Sequence, residues 1–353
     1  MIYLLLFAGL FMGWSLGTND AANAFGTAVA TKVIKYRTAI IVISVMVMIG
    51  AILGGHNNIG KLTSIATNNE VVSSAQEVDQ AIKSGLLEDM RFKSALKAFI
   101  IFLCAGLTVF VMSYLKFPVS ANQAITGAVI GWGLCYADYS NPLILKGNLM
   151  EILEFMSTWL INPVGAALIS FILVFIVKKY FEERIISLKN YDMIVKAGYL
   201  IAGAFAAYSI GQNSSASVTA FYYDATGKGA NLLLDARFTA ILGGIAISLG
   251  VLTFSKRVMM TLGGDIANIS QVDGFIVIIA MSLTVILMGN TMGIPVSTSQ
   301  SAVGAVVGAG LVKGIKNVSF GVFKRIAIAW ISSPTVAGIL AWVTAACTEW
   351  YFV

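Results

Sequence analysis

One short polar motif occurs twice in this chain, and few folds can accommodate it. It reads Phe117-Pro-Val-Ser-Ala-Asn-Gln123 in one place and Ile294-Pro-Val-Ser-Thr-Ser-Gln300 in the other. The residues that follow also correspond, Ala124-Ile-Thr-Gly-Ala-Val-Ile-Gly131 against Ser301-Ala-Val-Gly-Ala-Val-Val-Gly308. An earlier pair keeps the same order: Gly17-Thr-Asn-Asp-Ala-Ala-Asn23 and Gly211-Gln-Asn-Ser-Ser-Ala-Ser217. Matching motifs in matching order mean two related halves. The sequence around them is apolar. Of 353 residues, 58% are hydrophobic and 11% charged, with a mean hydropathy of +0.85. A soluble domain carries about 25% charged residues, so lipid is the solvent here. At about 20 apolar residues per crossing, the length allows roughly ten to twelve membrane segments.

Polar, proline-containing sequence at membrane depth is tolerated only where protein buries it. Short, interrupted apolar segments in corresponding positions of two halves point to the broken helices of transporters. The expected fold is therefore an all-α polytopic membrane protein with broken or re-entrant helices. Apolar runs Ile2–Leu16 and Ala21–Ala30 flank the first signature, which is expected to separate two helices. Pro163 and Pro334 interrupt two long runs and are expected to kink or split them. Gly127/Gly131 and Gly304/Gly308 read as close helix packing.

Residues 1–177 form the predicted first repeat, with an extramembranous loop containing some helix at 57–94. Residues 178–192 form a cytoplasmic linker, and 193–353 the second repeat. Charge gives the orientation. A basic cluster (Lys32, Lys35, Arg37) follows the first signature, whereas in the second half it moves one loop on, to Lys256 and Arg257. Basic loops are cytoplasmic, so equivalent loops face opposite sides and the repeats have inverted topology. Lys178-Lys179 then lies in the cytoplasm and the N-terminus outside. The net charge of +6 is spent on such clusters; it forms no groove, which excludes nucleic acid as a partner. A single His56 and the distant Cys104, Cys135 and Cys347 provide no metal cluster and no nucleophile with a base. No catalytic residue and no cofactor is expected, and enzyme classes are excluded.

Two kinds of site remain. Asp20 sits between apolar stretches, and an ionisable residue at membrane depth marks a functional site. Asn19 and Asn23 set carbonyls beside it. Asp20 and Asn23 are candidate ligands of Na+ as a coupling ion, and Asp20 alone can carry a proton. Asn213 and Ser214 of the second signature are expected to join this coupling group. The Pro-Val-Ser motifs differ. Proline suits the first helical position, and the N–H groups after it face outward at the positive end of the helix dipole. Ser120, Ala121, Asn122 and Gln123, with Ser297, Thr298, Ser299 and Gln300, form two anion-binding helix starts without a positive side chain.

Gly17-Thr-Asn-Asp-Ala-Ala-Asn-Ala-Phe-Gly-Thr27, together with the twin Pro-Val-Ser motifs, resembles the PiT family of inorganic phosphate transporters, which includes sulfate permeases. Gly263-Gly-Asp265, Ile269-Ser270 and Gly274-Phe275 match a further family segment. The resemblance implies an inverted-repeat fold, a central phosphate site, and sodium or proton symport by alternating access. Asp20, Asn23, Ser120 and Ser297 would lie at the phosphate or cation sites. Two features depart from the pattern. The family's second signature repeats the aspartate and asparagine, but Ser214 and Ser217 stand there. The glutamates many members carry in the helix after each signature align with Val47 and Ile278. Fewer carboxylates mean fewer cation sites, and a donor-only site also suits sulfate. Inorganic phosphate is the first expected substrate and sulfate the second, with an anion channel a distant alternative. The expected location is a bacterial or archaeal plasma membrane, with the bilayer as partner. Assembly as a homo-oligomer is left open.

Overall fold

Hydrocarbon offers a backbone N–H or C=O no partner, so a chain this apolar must satisfy its hydrogen bonds within each segment. The structure, a computed structural model, describes residues 2–55, 86–115, 117, 119–135, 142–180, 188–215, 218, 236–261, 269–292 and 296–352. Helices account for nearly all of them. They are α1 (Ile2–Ala30), α2 (Tyr36–Gly54), α3 (Leu86–Tyr114), α4 (Ala121–Cys135), α5 (Pro142–Tyr180) and α6 (Leu188–Ser214). There follow α7 (Ala236–Phe254), α8 (Lys256–Thr261), α9 (Gln271–Met292), α10 (Thr298–Val312) and α11 (Phe320–Phe352).

Among the described residues, 7 helices are long and apolar enough to cross a bilayer. The chain is thus a multi-pass membrane protein, as predicted. α1 has the length, 29 residues, but carries the polar signature in its second half. α4 and α10 have 15 residues each. At about 1.5 Å per residue, such a helix covers little more than two thirds of a hydrocarbon core about 30 Å thick.

Two expectations change. The first signature does not separate two helices, because α1 runs unbroken through Gly17–Asn23. There is no proline in it, and the Thr18 hydroxyl bonds back to the Ser15 carbonyl at 2.7 Å, which keeps it inside the helix. Pro163 and Pro334 do not split α5 and α11, which continue through them. Of the loop at 57–94, expected to hold some helix, residues from Leu86 belong to α3, and 57–85 lie outside the described residues. Residues 181–187 of the predicted linker lie outside them too.

The halves interlock through glycines placed where backbones touch. A β-carbon on Gly17 would collide with the carbonyl oxygen of Ile247, and one on Gly250 with that of Trp14. The reciprocal contact repeats in the other pair of helices, Gly211 against Val47 and Gly50 against Tyr208. α1 therefore packs on α7 as α6 packs on α2, each contact joining one half to the other. The short helices obey the same rule. Gly127 and Gly131 of α4 lie against Pro334 and Gly338 of α11, while Gly304 and Gly308 of α10 lie against Pro163 and Ala167 of α5.

These contacts fix directions. α10 runs parallel to α5, and both end at one face, where Lys313 and Lys178 approach Asp273 at 3.1 and 3.6 Å. α11 starts at that face, immediately after α10, and leads away from it. α4 runs parallel to α11 and so leads away as well. The two short helices therefore point in opposite directions from starts that lie together. The same face gathers Lys32, Lys35 and Arg37 after α1, and Lys256, whose ammonium lies 5.8 Å from the Tyr36 ring.

Asp273 ties α5, α9 and α10 together there. Its side chain is 1% exposed, against 24% and 28% for its two lysine partners. It also closes a capping box: the Ser270 N–H donates to Asp273 Oδ2 and the Asp273 N–H to Ser270 Oγ, each at 3.1 Å. Asp273→Asn keeps much of the cap but leaves two half-buried ammonium groups facing a neutral amide. We expect a loss of about 2 kcal/mol, read as a lower Tm in detergent. An unchanged Tm would mean the lysines do not depend on this carboxylate.

Candidate functional site

The site lies where the starts of α4 and α10 meet the middle of α1. Each start is built the same way from its sequence. Ser297 is extended (φ −78, ψ 112), and its Oγ accepts from the Gln300 N–H at 3.1 Å. Ser120 Oγ accepts from the Gln123 N–H at 3.2 Å. Serine is a strong N-cap because its oxygen satisfies one orphan donor of the first turn. Pro118 and Pro295 lie outside the described residues. Sequence reasoning assigned both serines as donors to an anion. In the structure their oxygens are occupied as cap acceptors, which leaves each hydroxyl proton free to donate elsewhere.

The two starts touch. The Asn122 amide donates to the Val296 carbonyl at 2.9 Å, and the Ser299 hydroxyl to the Val119 carbonyl at 3.0 Å. Asp20 faces this junction and is 3% exposed. The Thr298 hydroxyl donates to Asp20 Oδ2 at 2.8 Å, and the Ser299 hydroxyl lies 3.5 Å from Oδ1. Asn23, one turn on, sets its amide nitrogen 3.3 Å from Asp20 Oδ1, 3.1 Å from Ser299 Oγ and 3.4 Å from Thr298 Oγ1. A carboxylate from the first half is thus wired to the second half's helix start. The i, i+3 spacing of Asp20 and Asn23 on an unbroken helix puts both on one face.

The other predicted coupling residues do something different. The Asn19 amide turns away from Asp20 and donates to Ser113 Oγ at 2.9 Å and to the Phe117 carbonyl at 3.2 Å. One residue along a helix is about 100° around it, so Asn19 and Asp20 cannot share a face. Asn213 clasps Val296 twice, accepting from its N–H at 3.0 Å and donating to its C=O at 2.9 Å. It also donates to Ser214 Oγ at 3.2 Å. Asn19 and Asn213, equivalent in the two signatures, therefore each hold the segment that leads into a short helix.

A cavity of about 30 Å3 opens beside Asn23, lined also by Thr27, Ile278 and Met281. That is room for about one water. Ile278 stands here where the family resemblance implied a glutamate, and it lies on α9, not on the helix that directly follows the second signature. Val47, the other such position, is fully buried against Gly211. The oxygens that could hold a small cation are those of Asp20, Thr298 and Ser299, with the Val119 carbonyl beyond them. Because α1 is unbroken, it contributes no unwound carbonyls to such a site.

Sequence reasoning missed Asn162. Its amide donates to the Ser297 carbonyl and its oxygen accepts from the Ser301 hydroxyl, both at 2.7 Å. An asparagine in the middle of an apolar helix was the available signal.

The fold is that of a multi-pass membrane protein in which two opposed helix starts meet against the middle of α1. The profile described as the phosphate transporter family matches residues 16–341, and the chain belongs to that family, which comprises transporters and not enzymes. It is 28% identical over 342 residues to a protein of Methanocaldococcus jannaschii provisionally named a phosphate permease, covering 97% of this chain and 96% of that one. It is also 28% identical over 330 residues to the sulfate permease CysP of Bacillus subtilis, covering 92% of this chain and 82% of that one. A solved structure titled the sodium-dependent phosphate transporter shares the fold, with a TM-score of 0.73, 19% identity and 99% of both chains covered.

Proposed function

We propose that this protein is a secondary active symporter of a small inorganic oxyanion, working by alternating access. One observation carries the reading: Asp20 of the first half accepts the Thr298 hydroxyl at the second half's anion-type helix start, with the Ser299 hydroxyl 3.5 Å away. A cation or proton that neutralises Asp20 changes what those hydroxyls face, and so links the coupling ion to the anion. The opposed helix starts match an inverted-repeat transporter, in which each half opens the site to one side. The basic face is cytoplasmic, and the membrane is a prokaryotic plasma membrane.

Phosphate is the favoured substrate. The side-chain carbonyl oxygens of Gln123 and Gln300 are buried and meet no donor among the described residues. The hydroxyl of hydrogenphosphate can donate to such an oxygen, whereas sulfate has no proton to give. The second reading is sulfate. It is favoured by the likeness to a sulfate permease and by the apolar Ile278 beside Asn23. Na+ would be held by Asp20, Thr298 and Ser299, and a proton by Asp20 alone.

Ser120→Ala with Ser297→Ala removes both caps and both hydroxyl donors. A lost charge-assisted hydrogen bond is worth about 1.5 kcal/mol, roughly tenfold in affinity. The double variant should raise the anion KM by about a hundredfold in proteoliposome uptake. An unchanged KM would remove these helix starts from the anion site.

A further inference from the structure

The two helix starts are alike in sequence but not in mounting. Ser297 is gripped from the neighbouring helix. Asn162 of α5, fully buried, donates its amide to the Ser297 carbonyl and accepts the Ser301 hydroxyl, each at 2.7 Å. The same Ser301 hydroxyl oxygen lies 3.0 Å from the Ser297 carbonyl, which closes the loop. One residue thus fixes both the cap and the first turn of α10 to α5. Packing does not distinguish the two starts, because Gly304 and Gly308 lay α10 on Pro163 and Ala167 as Gly127 and Gly131 lay α4 on Pro334 and Gly338.

The equivalent position in the other half makes no such clamp among the described residues: Ser333, before Pro334, donates to the Trp330 carbonyl of its own helix, at 3.5 Å. Ala124 stands where Ser301 does and has no hydroxyl to offer. The Ser120 start is tied to the opposing start through Asn122 and Ser299 and to α1 through the Asn19 amide at the Phe117 carbonyl, with no counterpart of the Asn162 clamp among the described residues. Asparagine is a weak helix former and is disfavoured in mid-helix. Before a proline its backbone is further restricted. Its presence at 162 is explained by both ends of its amide being used across the helix interface.

We propose that Asn162 is a positioning residue that locks the Ser297–Gln300 helix start of the anion site to α5, an anchor that the Ser120 start lacks. Asn162 does not touch the anion; it holds the cap serine and the N–H groups of Thr298 and Ser299 in place. This inference rests on the oxyanion reading for its consequence but not for its geometry, and the test separates the two.

The backbone N–H groups of Ala124 and Ser301 are equivalent first-turn donors, each bonded to its cap serine carbonyl at 3.1 Å. Residue-resolved hydrogen exchange on the full chain in lipid nanodiscs should show Ser301 protected at least about tenfold better than Ala124, in line with one extra buried clamp. Asn162→Ala should abolish that difference, and Ser333→Ala should leave it intact. Equal protection of the two amides in the unaltered protein would overturn the proposal. In uptake assays, Asn162→Ala should raise the phosphate or sulfate KM about tenfold with little change in maximal rate. Ser333→Ala should leave KM unchanged. If Asn162→Ala does not fold, Ser301→Ala removes one arm of the clamp alone and should give part of both effects; no effect on either would refute the role. If the unaltered protein transports neither anion, the functional reading fails, while the exchange experiment still decides whether the clamp exists.

Discussion

Asp20→Asn should abolish gradient-driven uptake while leaving the protein folded. The substitution is isosteric, and the amide oxygen can still accept the Thr298 hydroxyl that now reaches Oδ2 at 2.8 Å. What disappears is the charge. An amide neither takes up a proton nor offers a cation a formal negative partner, so the junction can no longer alternate between a charged and a neutralised state. A hydrogen bond to an ionised group is worth about 1.5–3 kcal/mol, and two hydroxyls and one amide converge here. A fall in uptake rate of roughly a hundredfold or more follows from the upper end of that range. The assay is uptake into proteoliposomes at matched protein incorporation. Uptake within a few-fold of the unaltered protein would show that coupling does not pass through Asp20.

Gly17→Val and Gly211→Val should each prevent assembly of the two halves. In both, the new β-carbon would meet a main-chain carbonyl oxygen, of Ile247 and Val47 respectively. A flexible side chain could move aside, but here the obstacle is helix backbone held by its own hydrogen-bond ladder. The helices must separate, and the reciprocal contacts at Gly250 and Gly50 open with them. Overpacking a core costs about 1–3 kcal/mol when side chains can adjust and more when backbone must shift. Both variants should lose the monodisperse peak on size-exclusion chromatography. Gly133→Ala is the control, because nothing lies within 4 Å of its added carbon. A stable, monodisperse Gly17→Val protein would contradict the interlocked arrangement.

Much of this architecture was legible in the sequence because membrane folding leaves plain marks. Repeated Pro-Val-Ser motifs marked the two short helices, since proline and serine have specific places at a helix start. Gly127/Gly131 and Gly304/Gly308 marked the close packing that the structure contains. What could not be read was the course of the backbone through the signature. Gly17-Thr-Asn-Asp looks like a break by composition, yet α1 continues, because each polar side chain finds a partner inside the bundle and the helix keeps its bonds. The same fact explains why Asn19 does not lie beside Asp20: an unwound strand would have allowed it, and a helix does not. Asn213 and Asn162 were hidden for another reason. Their roles depend on Val296 and Ser297, which lie 83 and 135 residues away in sequence, and no local pattern reports such a partner.

The most direct test of the account is uptake of labelled phosphate and sulfate into proteoliposomes, each under a sodium gradient or a proton gradient imposed alone. The account predicts accumulation of one oxyanion, phosphate in the favoured reading, driven by one of the two gradients and lost in Asp20→Asn. Failure of either gradient to drive accumulation of either anion, or passage of the anion as current without a coupled gradient, would contradict it.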